Sequence, residues 1–125
     1  MNKKQKEEQI LKLYNQKRVD LQKEQERNEQ KISLQEKKIE QIYYLNNQIR
    51  SLVDDINASA GETDWKFLSY FEKQYEEVYR RELEMVNDEK ESMMVEKKRF
   101  YDLEDEYKRE CNIELAKIKD EIYGD

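Results

Sequence analysis

Proline is absent from this chain of 125 residues, and only Gly61 and Gly124 are glycine. Because proline is the main residue that breaks a helix interior, nothing in the chain forbids two very long helices. Charged residues make up 43% of the chain and the hydrophobic class 36%, which is too polar for an ordinary globular core. Disordered chains are poor in aromatic residues, whereas aromatics are 10% of this one. The composition therefore favours paired helices over disorder.

Apolar residues recur every seven positions in the first half of the chain. One predicted row is Leu11, Arg18, Gln25, Ile32, Ile39, Asn46 and Val53. The companion row is Tyr14, Leu21, Asn28, Gln35, Ile42, Ile49 and Ile56. Seven-residue spacing indicates a helix that pairs along one narrow stripe, the seam, and buried amides such as Asn28 and Asn46 can fix its register.

The second half has a stripe of the same kind. Its predicted members are Leu68, Tyr75, Tyr79, Val86, Met93, Phe100 and Tyr107, followed by Cys111, Leu115, Ile118 and Ile122. After Tyr107 the steps depart from a strict heptad, which predicts a local change in supercoil.

The two stripes are separated by the segment from Asn57 to Asp64, which contains Gly61. Glycine adopts the left-handed conformation that often ends a helix, and Thr63 or Asp64 is suited to cap the next one. A short connection implies antiparallel neighbours. We therefore predict an all-α fold of two long antiparallel helices in a coiled-coil hairpin. The single hairpin has a first arm over about 4–57, a turn over 58–63 and a second arm over about 64–122. One continuous helix that dimerises in parallel is the alternative.

The residue types present argue against catalysis and against several classes of ligand. There is no histidine, and Cys111 is the one cysteine, so the commonest general base, a Cys-His nucleophile and an internal disulfide are all excluded. We predict no enzyme activity, no cofactor and no metal site. Lysines are interleaved with glutamates at a net charge of −6, which disfavours nucleic acid. No segment has the length of apolar sequence that membrane insertion requires, and a cytoplasmic protein is expected.

Large aromatic residues cluster just after the predicted turn, at Trp65, Phe67, Tyr70 and Phe71. On a helical wheel Phe71 and Val78 lie beside the predicted seam, and Tyr70 lies nearly opposite it. Either Phe71 and Val78 widen the seam, or the cluster is a contact surface for another protein, because aromatic side chains anchor interfaces.

The run Ser59-Ala60-Gly61, followed by Trp65 and Phe71, resembles the FliJ family of flagellar export proteins and their YscO-type injectisome relatives. The resemblance covers about fifteen residues in detail. The connection between the two predicted helices is two residues shorter here than in the FliJ pattern. It implies a non-enzymatic central stalk of a type III secretion export ATPase, which links the ATPase ring to the export gate and aids protein export. It does not separate a flagellar from an injectisome machine, although the short chain favours the latter.

The resemblance also implies partners and contact residues. The paired termini would enter the ATPase ring, and the turn would face the cytoplasmic domain of the large export-gate protein at the base of the membrane apparatus. Export chaperones are a further class of partner that it allows. The gate-contact positions carry over to Phe71, Tyr75, Val78 and Glu82, of which Glu82 departs from the family's pattern. The basic residues placed near the ATPase are Lys3, Lys4, Lys6, Lys12, Lys117 and Lys119.

Two other functions fit the same pattern. One is a free-standing helical-hairpin cochaperone that binds unfolded clients, and the other is a generic dimerising coiled-coil adaptor that uses the aromatic cluster as its self-interface. The stalk is expected to be monomeric when isolated, so the oligomeric state separates it from the adaptor.

Overall fold

The computed structural model describes residues 2–59 and 61–123, except for the side chains of residues 62–64 and 121–123. It contains two long helices packed against each other, α1 (Lys3–Ser59) and α2 (Glu62–Tyr123). The predicted all-α hairpin is confirmed. The helices form two compact units: unit 1 is Met1–Gln30 with Met94–Asp125, and unit 2 is Lys31–Met93.

A reciprocal cap begins α1. The Gln5 amide N–H donates to the Asn2 side-chain oxygen at 2.9 Å, and the Asn2 N–H donates to the Gln5 side-chain oxygen at 3.2 Å. The Lys6 N–H donates to the Asn2 carbonyl at 3.1 Å, which is the first helical bond. Two of the backbone donors that a helix start leaves unpaired are thereby satisfied. The Asn-x-x-Gln spacing at the start of the sequence is the signal for this cap.

The connection between the helices is shorter than the segment predicted for it. α1 continues to Ser59, and α2 begins at Glu62. The Trp65 N–H donates to the Gly61 carbonyl at 3.1 Å, so Gly61 holds the N-cap position of α2. The prediction of Thr63 or Asp64 as the cap is therefore wrong, because both lie inside the first turn; their side chains and Ala60 lie outside the described residues.

Gly61 also differs from its predicted role. Among the described residues none has a positive φ, so the expected left-handed glycine is not found. A Cβ at Gly61 would meet no atom within 4 Å. The N-cap position tolerates glycine without requiring it.

The seam of unit 1 is partly displaced from the predicted rows. Tyr14, Leu21 and Asn28 are buried as expected, but Leu11 and Arg18 are exposed. Their predecessors Ile10 and Lys17 are half-buried instead. The observed row therefore takes two successive four-residue steps, from Lys17 through Leu21 to Gln25, which moves the earlier seam residues by one position.

On α2 in unit 1 the row keeps the heptad spacing. Glu104, Tyr107, Cys111 and Glu114 are half-buried between buried Phe100 and Ile118, at alternating steps of four and three. The sequence predicted a departure from heptads only on α2, whereas the double step is found on α1. Leu115 is half-buried as predicted, and the Ile122 side chain lies outside the described residues.

Most of the seam of unit 2 follows the predicted rows. Its buried apolar residues are Ile32, Val53, Leu68 and Val86, and the half-buried residues of the predicted rows are Ile39, Ile42, Ile49, Tyr75, Tyr79 and Met93. Leu83, which the prediction did not include, is also half-buried. The predicted seam residue Ile56, which comes shortly before the connection, is 41% exposed.

Amides interrupt the seam of unit 2 at two buried positions. Gln35 is 4% exposed and Asn46 is 7% exposed. The Gln35 side-chain nitrogen donates to the Glu89 carboxylate on α2 at 3.0 Å. Such a bond joins the two helices at one register, and a shift of either helix would break it.

Candidate protein-binding site

The four residues that the resemblance assigns to the gate contact all lie on α2 in unit 2, but they do not share one environment. Phe71 and Val78 are exposed, at 41% and 56%. Tyr75 is half-buried in the seam, and Glu82 is exposed. The wheel prediction that Phe71 and Val78 lie off the seam is confirmed, and Tyr75 belongs mainly to the packing of the hairpin.

Three aromatic rings form a stack along α2. The ring centroids of Phe71 and Tyr75 are 6.3 Å apart, those of Tyr75 and Tyr79 are 6.2 Å apart, and both pairs are nearly parallel. Burial raises the pKa of the Tyr75 hydroxyl, neighbouring Tyr79 raises it further, and Arg50 on α1 lowers it. Because it rests on Tyr75, Phe71 is held in place although it is exposed, which favours its use as an interface anchor.

One ion pair between the helices lies beside the seam in unit 2. Glu36, which follows buried Gln35 on α1, forms an ion pair of 3.5 Å with half-buried Lys90 on α2.

Both helices of unit 2 have exposed apolar residues beside the seam. They include Leu45 and Leu52 on α1 and Phe71, Val78 and Met85 on α2, and their exposed fractions run from 41% to 59%. Sequence reasoning found Phe71 and Val78 but missed the other three. The signal was available, since Leu45 and Leu52, like Phe71, Val78 and Met85, recur at seven-residue intervals beside the seam.

Three more aromatic residues are exposed near the start of α2. Trp65, Phe67 and Tyr70 are 62%, 70% and 64% exposed. They add to the aromatic side chains that unit 2 exposes, and aromatic side chains often anchor interfaces.

The residues assigned to the ATPase contact lie in unit 1. Lys3, Lys4, Lys6 and Lys12 are exposed on α1, and Lys117 and Lys119 are exposed on α2. The fold thus brings lysines from both ends of the sequence into one unit, where they form a basic surface among acidic neighbours.

Lys17 of unit 1 has a different role from these lysines. Its ammonium nitrogen lies 5.0 Å from the ring centroid of Tyr14 on α1 and 5.4 Å from that of Tyr107 on α2. A cation over aromatic faces is attracted to them, so Lys17 joins the two helices. Burial raises the pKa of the Tyr14 hydroxyl, and the carboxylates of Glu114 and Glu110 raise it further.

Both units also contain an open groove. The groove of unit 1 has a volume of about 500 Å³ and is bordered by Tyr14, Arg18, Tyr107 and the free thiol of Cys111. The groove of unit 2 is smaller, about 270 Å³, and lies between Ile49 and Val53 of α1 and Phe71 and Tyr75 of α2. Arg50 and Asp54 of α1 also line it, so Phe71 borders a groove with charged residues on its α1 side.

Searches of the described residues for two other kinds of site give negative results. Within residues 2–59 and 61–123, no group of three or more histidine, cysteine, aspartate or glutamate side chains is arranged to hold a metal ion. In the same residues, neither helix has a stretch apolar enough to cross a membrane.

Comparisons of the chain with protein-family models, with curated proteins and with solved structures each find no match. The surfaces of the two units are therefore the basis for assigning a function.

Proposed function

We propose that this chain is the non-enzymatic stalk of a type III secretion export ATPase. Unit 1 would contact the ATPase ring, and unit 2 would contact the cytoplasmic domain of the large export-gate protein. The protein would work in the cytoplasm, at the base of the membrane export apparatus, and would help couple nucleotide hydrolysis to substrate entry.

One observation carries the proposal. Phe71 and Val78, which the resemblance assigns to the gate contact, are exposed beside the seam, although both are large apolar residues in a very polar chain. Removing such side chains from water on binding yields roughly 25 cal/mol per Å² of apolar area. A gate protein that covered them would gain this free energy without unpacking the hairpin, because the seam is made by other residues.

The lysines of unit 1 support the other contact. Exposed charges at the rim of an interface raise the association rate more than the affinity. Lys12 and Lys117 are exposed on different helices of the same unit, so acidic residues of a ring would meet positive charge on both helices. The chain itself would bind no nucleotide in this arrangement.

The test of the gate contact is co-purification of the chain with the ATPase and the gate-protein domain. Phe71→Ala is expected to weaken gate binding by about tenfold or more, since aromatic anchors dominate interface energies. Tyr101→Ala is the matched control, because Tyr101 is 54% exposed but belongs to unit 1. Circular dichroism should show unchanged helicity for both variants. Equal loss of ATPase and gate binding on Phe71→Ala would contradict the proposal.

The ATPase contact has a separate test. Reversing the charge of Lys12 and Lys117 together is expected to reduce ATPase stimulation and its salt dependence, while gate binding stays the same. Undiminished stimulation would overturn the assignment of unit 1 to the ring. A dimer of the isolated chain that Phe71→Ala dissociates would instead favour the dimerising adaptor.

A further inference from the structure

The groove of unit 2 extends the surface around Phe71 onto α1. Its apolar lining consists of Ile49 and Val53 of α1 and Phe71 and Tyr75 of α2. Val53 is buried, Ile49 and Tyr75 are half-buried, and Phe71 is exposed. Both helices therefore supply the apolar part of the groove, which reaches the surface at Phe71.

Four exposed charged residues line the same groove. They are Arg50 and Asp54 of α1 and Glu72 and Glu76 of α2, three carboxylates against one guanidinium, which gives a net charge of −2. Within the part of the chain that the structure describes, none of the three carboxylates forms an ion pair. Carboxylates that are not already paired, beside an apolar surface, are complementary to a basic group on a partner.

The size of the groove limits what it can hold. Its volume is about 270 Å³. Small-molecule and cofactor sites usually have volumes of about 300–1,000 Å³ and bury most of their ligand. This groove is smaller and open, so it suits a side chain of a partner protein better than a cofactor.

The charge of unit 2 as a whole favours the same kind of partner. Residues 31–93 contain 14 aspartates and glutamates and nine lysines and arginines, a net charge of −5. A second copy of the chain that docked through its own unit 2 would bring a further acidic surface and would be repelled. A segment with basic residues would be attracted.

We propose that the groove of unit 2 binds one apolar side chain of a partner protein, from a segment whose neighbouring basic residues pair with Asp54, Glu72 and Glu76. The inference deepens the proposed gate contact, and it rests on that proposal only for the identity of the partner. It adds α1 to the contact made by Phe71 and states the chemistry of the segment that binds.

The experiment uses the full chain, labelled with ¹⁵N, and a short synthetic peptide with blocked ends in which one leucine stands between two arginines. Chemical-shift changes of the backbone amides measure the affinity and locate the site. In one control peptide glutamate replaces both arginines, and in the other glycine replaces the leucine. The arginine–leucine peptide is expected to shift amides chiefly in residues 49–54 and 71–76, and each control peptide should bind about fivefold more weakly or less.

Substitutions of the charged lining should change the affinity in opposite directions. Asp54→Asn combined with Glu76→Gln is expected to weaken peptide binding by about fivefold, because two attracting charges are lost. Arg50→Gln is expected to strengthen it by about twofold, because a repelling charge on α1 is lost. Asp88→Asn combined with Glu91→Gln is the matched control, since both carboxylates are exposed in unit 2 but lie outside the groove.

The apolar part of the groove has its own test. Phe71→Ala is expected to weaken peptide binding by about tenfold, since aromatic anchors dominate interface energies. Circular dichroism verifies that every variant keeps its helicity. Unchanged binding by Phe71→Ala would show that the peptide binds elsewhere and would overturn the proposal.

Three further outcomes would also overturn it. Equal weakening by the groove pair and by the control pair would mean that only the overall charge of unit 2 attracts the peptide. Weaker binding by Arg50→Gln would contradict the stated role of α1. If the chain sediments as a dimer that Asp54→Asn combined with Glu76→Gln dissociates, the occupant is a second copy.

Binding of the gate-protein domain separates this inference from the proposed function. If the peptide binds as expected but the gate domain does not bind the chain at all, the proposed function fails and the inference stands. If Phe71→Ala weakens gate binding while Asp54→Asn combined with Glu76→Gln leaves both gate and peptide binding unchanged, the gate contact stands and the inference fails.

Discussion

Units 1 and 2 are built from the same two helices, yet they join those helices through different contacts. In unit 1, Lys17 of α1 lies over the rings of Tyr14 and Tyr107, so a cation joins the two helices. In unit 2, the buried Gln35 side chain of α1 donates to the Glu89 carboxylate of α2, so an amide joins them. The comparison teaches that one helical pair can hold its register with different polar contacts in different parts of its length.

The largest expected effect concerns the buried seam of each unit. Phe100→Ala in unit 1 should lower the free energy of unfolding by about 3 kcal/mol, because the substitution leaves a cavity that the helices fill only partly. Val86→Ala in unit 2 should lower it by about 1.5 kcal/mol, since two methyl groups leave the seam. Urea unfolding monitored by circular dichroism measures both values.

Amide hydrogen exchange shows whether these losses stay within one unit. In the Phe100→Ala variant, amide exchange rates that rise chiefly in residues 1–30 and 94–120 would sharpen the comparison, because they would show that unit 1 opens by itself. An equal rise throughout both helices would break it, since the units would then unfold together.

The next effect concerns the buried amide of unit 2. The Asn46 side-chain oxygen is buried and has no hydrogen-bond partner. Asn46→Leu should therefore raise the free energy of unfolding by about 1 to 2 kcal/mol, because an unsatisfied buried oxygen is removed and apolar area is added. A loss of stability in urea unfolding would contradict this reasoning. Because amides hold register, the same variant should also permit helix shifts, which a disulfide cross-link between engineered cysteines would detect.

A smaller effect is expected in alkaline solution. Burial raises the pKa of Tyr14 in unit 1 and of Tyr75 in unit 2 above the usual value of 10.0. The folded state then keeps its protons where the unfolded state has lost them, so the stabilisation is complete below pH 10 and is lost as pH rises through the folded pKa. Tyr14→Phe and Tyr75→Phe should each flatten the fall in thermal midpoint above pH 10. An unchanged slope in either variant would show that the tyrosine of that unit is not responsible.

The smallest effect separates the ion pairs of the two units. The Lys97–Glu29 pair of unit 1 is 2.8 Å long, and the Lys90–Glu36 pair of unit 2 is 3.5 Å long. Both involve side chains that are at least one-third exposed, so double-mutant cycles should give coupling of about 0.5 kcal/mol for the first and less for the second. Coupling should decline in high salt for both pairs. A larger coupling energy for the unit 2 pair would mean that the nitrogen–oxygen distance does not predict which of the two ion pairs is stronger.

The heptad rows predicted most of the seam because Ile32, Val53, Leu68 and Val86 recur at the spacing of a single stripe. The prediction was wrong at Leu11 and Arg18, since the row was extended in steps of seven through a region where α1 takes two steps of four. The sequence predicted a departure only on α2 after Tyr107, because the seam position of each residue depends on which residues face each other across the helices.

The candidate site was only half predicted for a related reason. The aromatic residues after the connection marked Phe71 and Val78, whereas Leu45 and Leu52 stand among apolar neighbours that the seam already explained. The sequence alone determined that this chain forms helices, where they are interrupted and which stripe pairs, because propensity and periodicity are properties of each segment. Only the tertiary structure decided which residues of α1 and α2 contact each other, such as Gln35 and Glu89, because that depends on the direction and register in which the two helices pack.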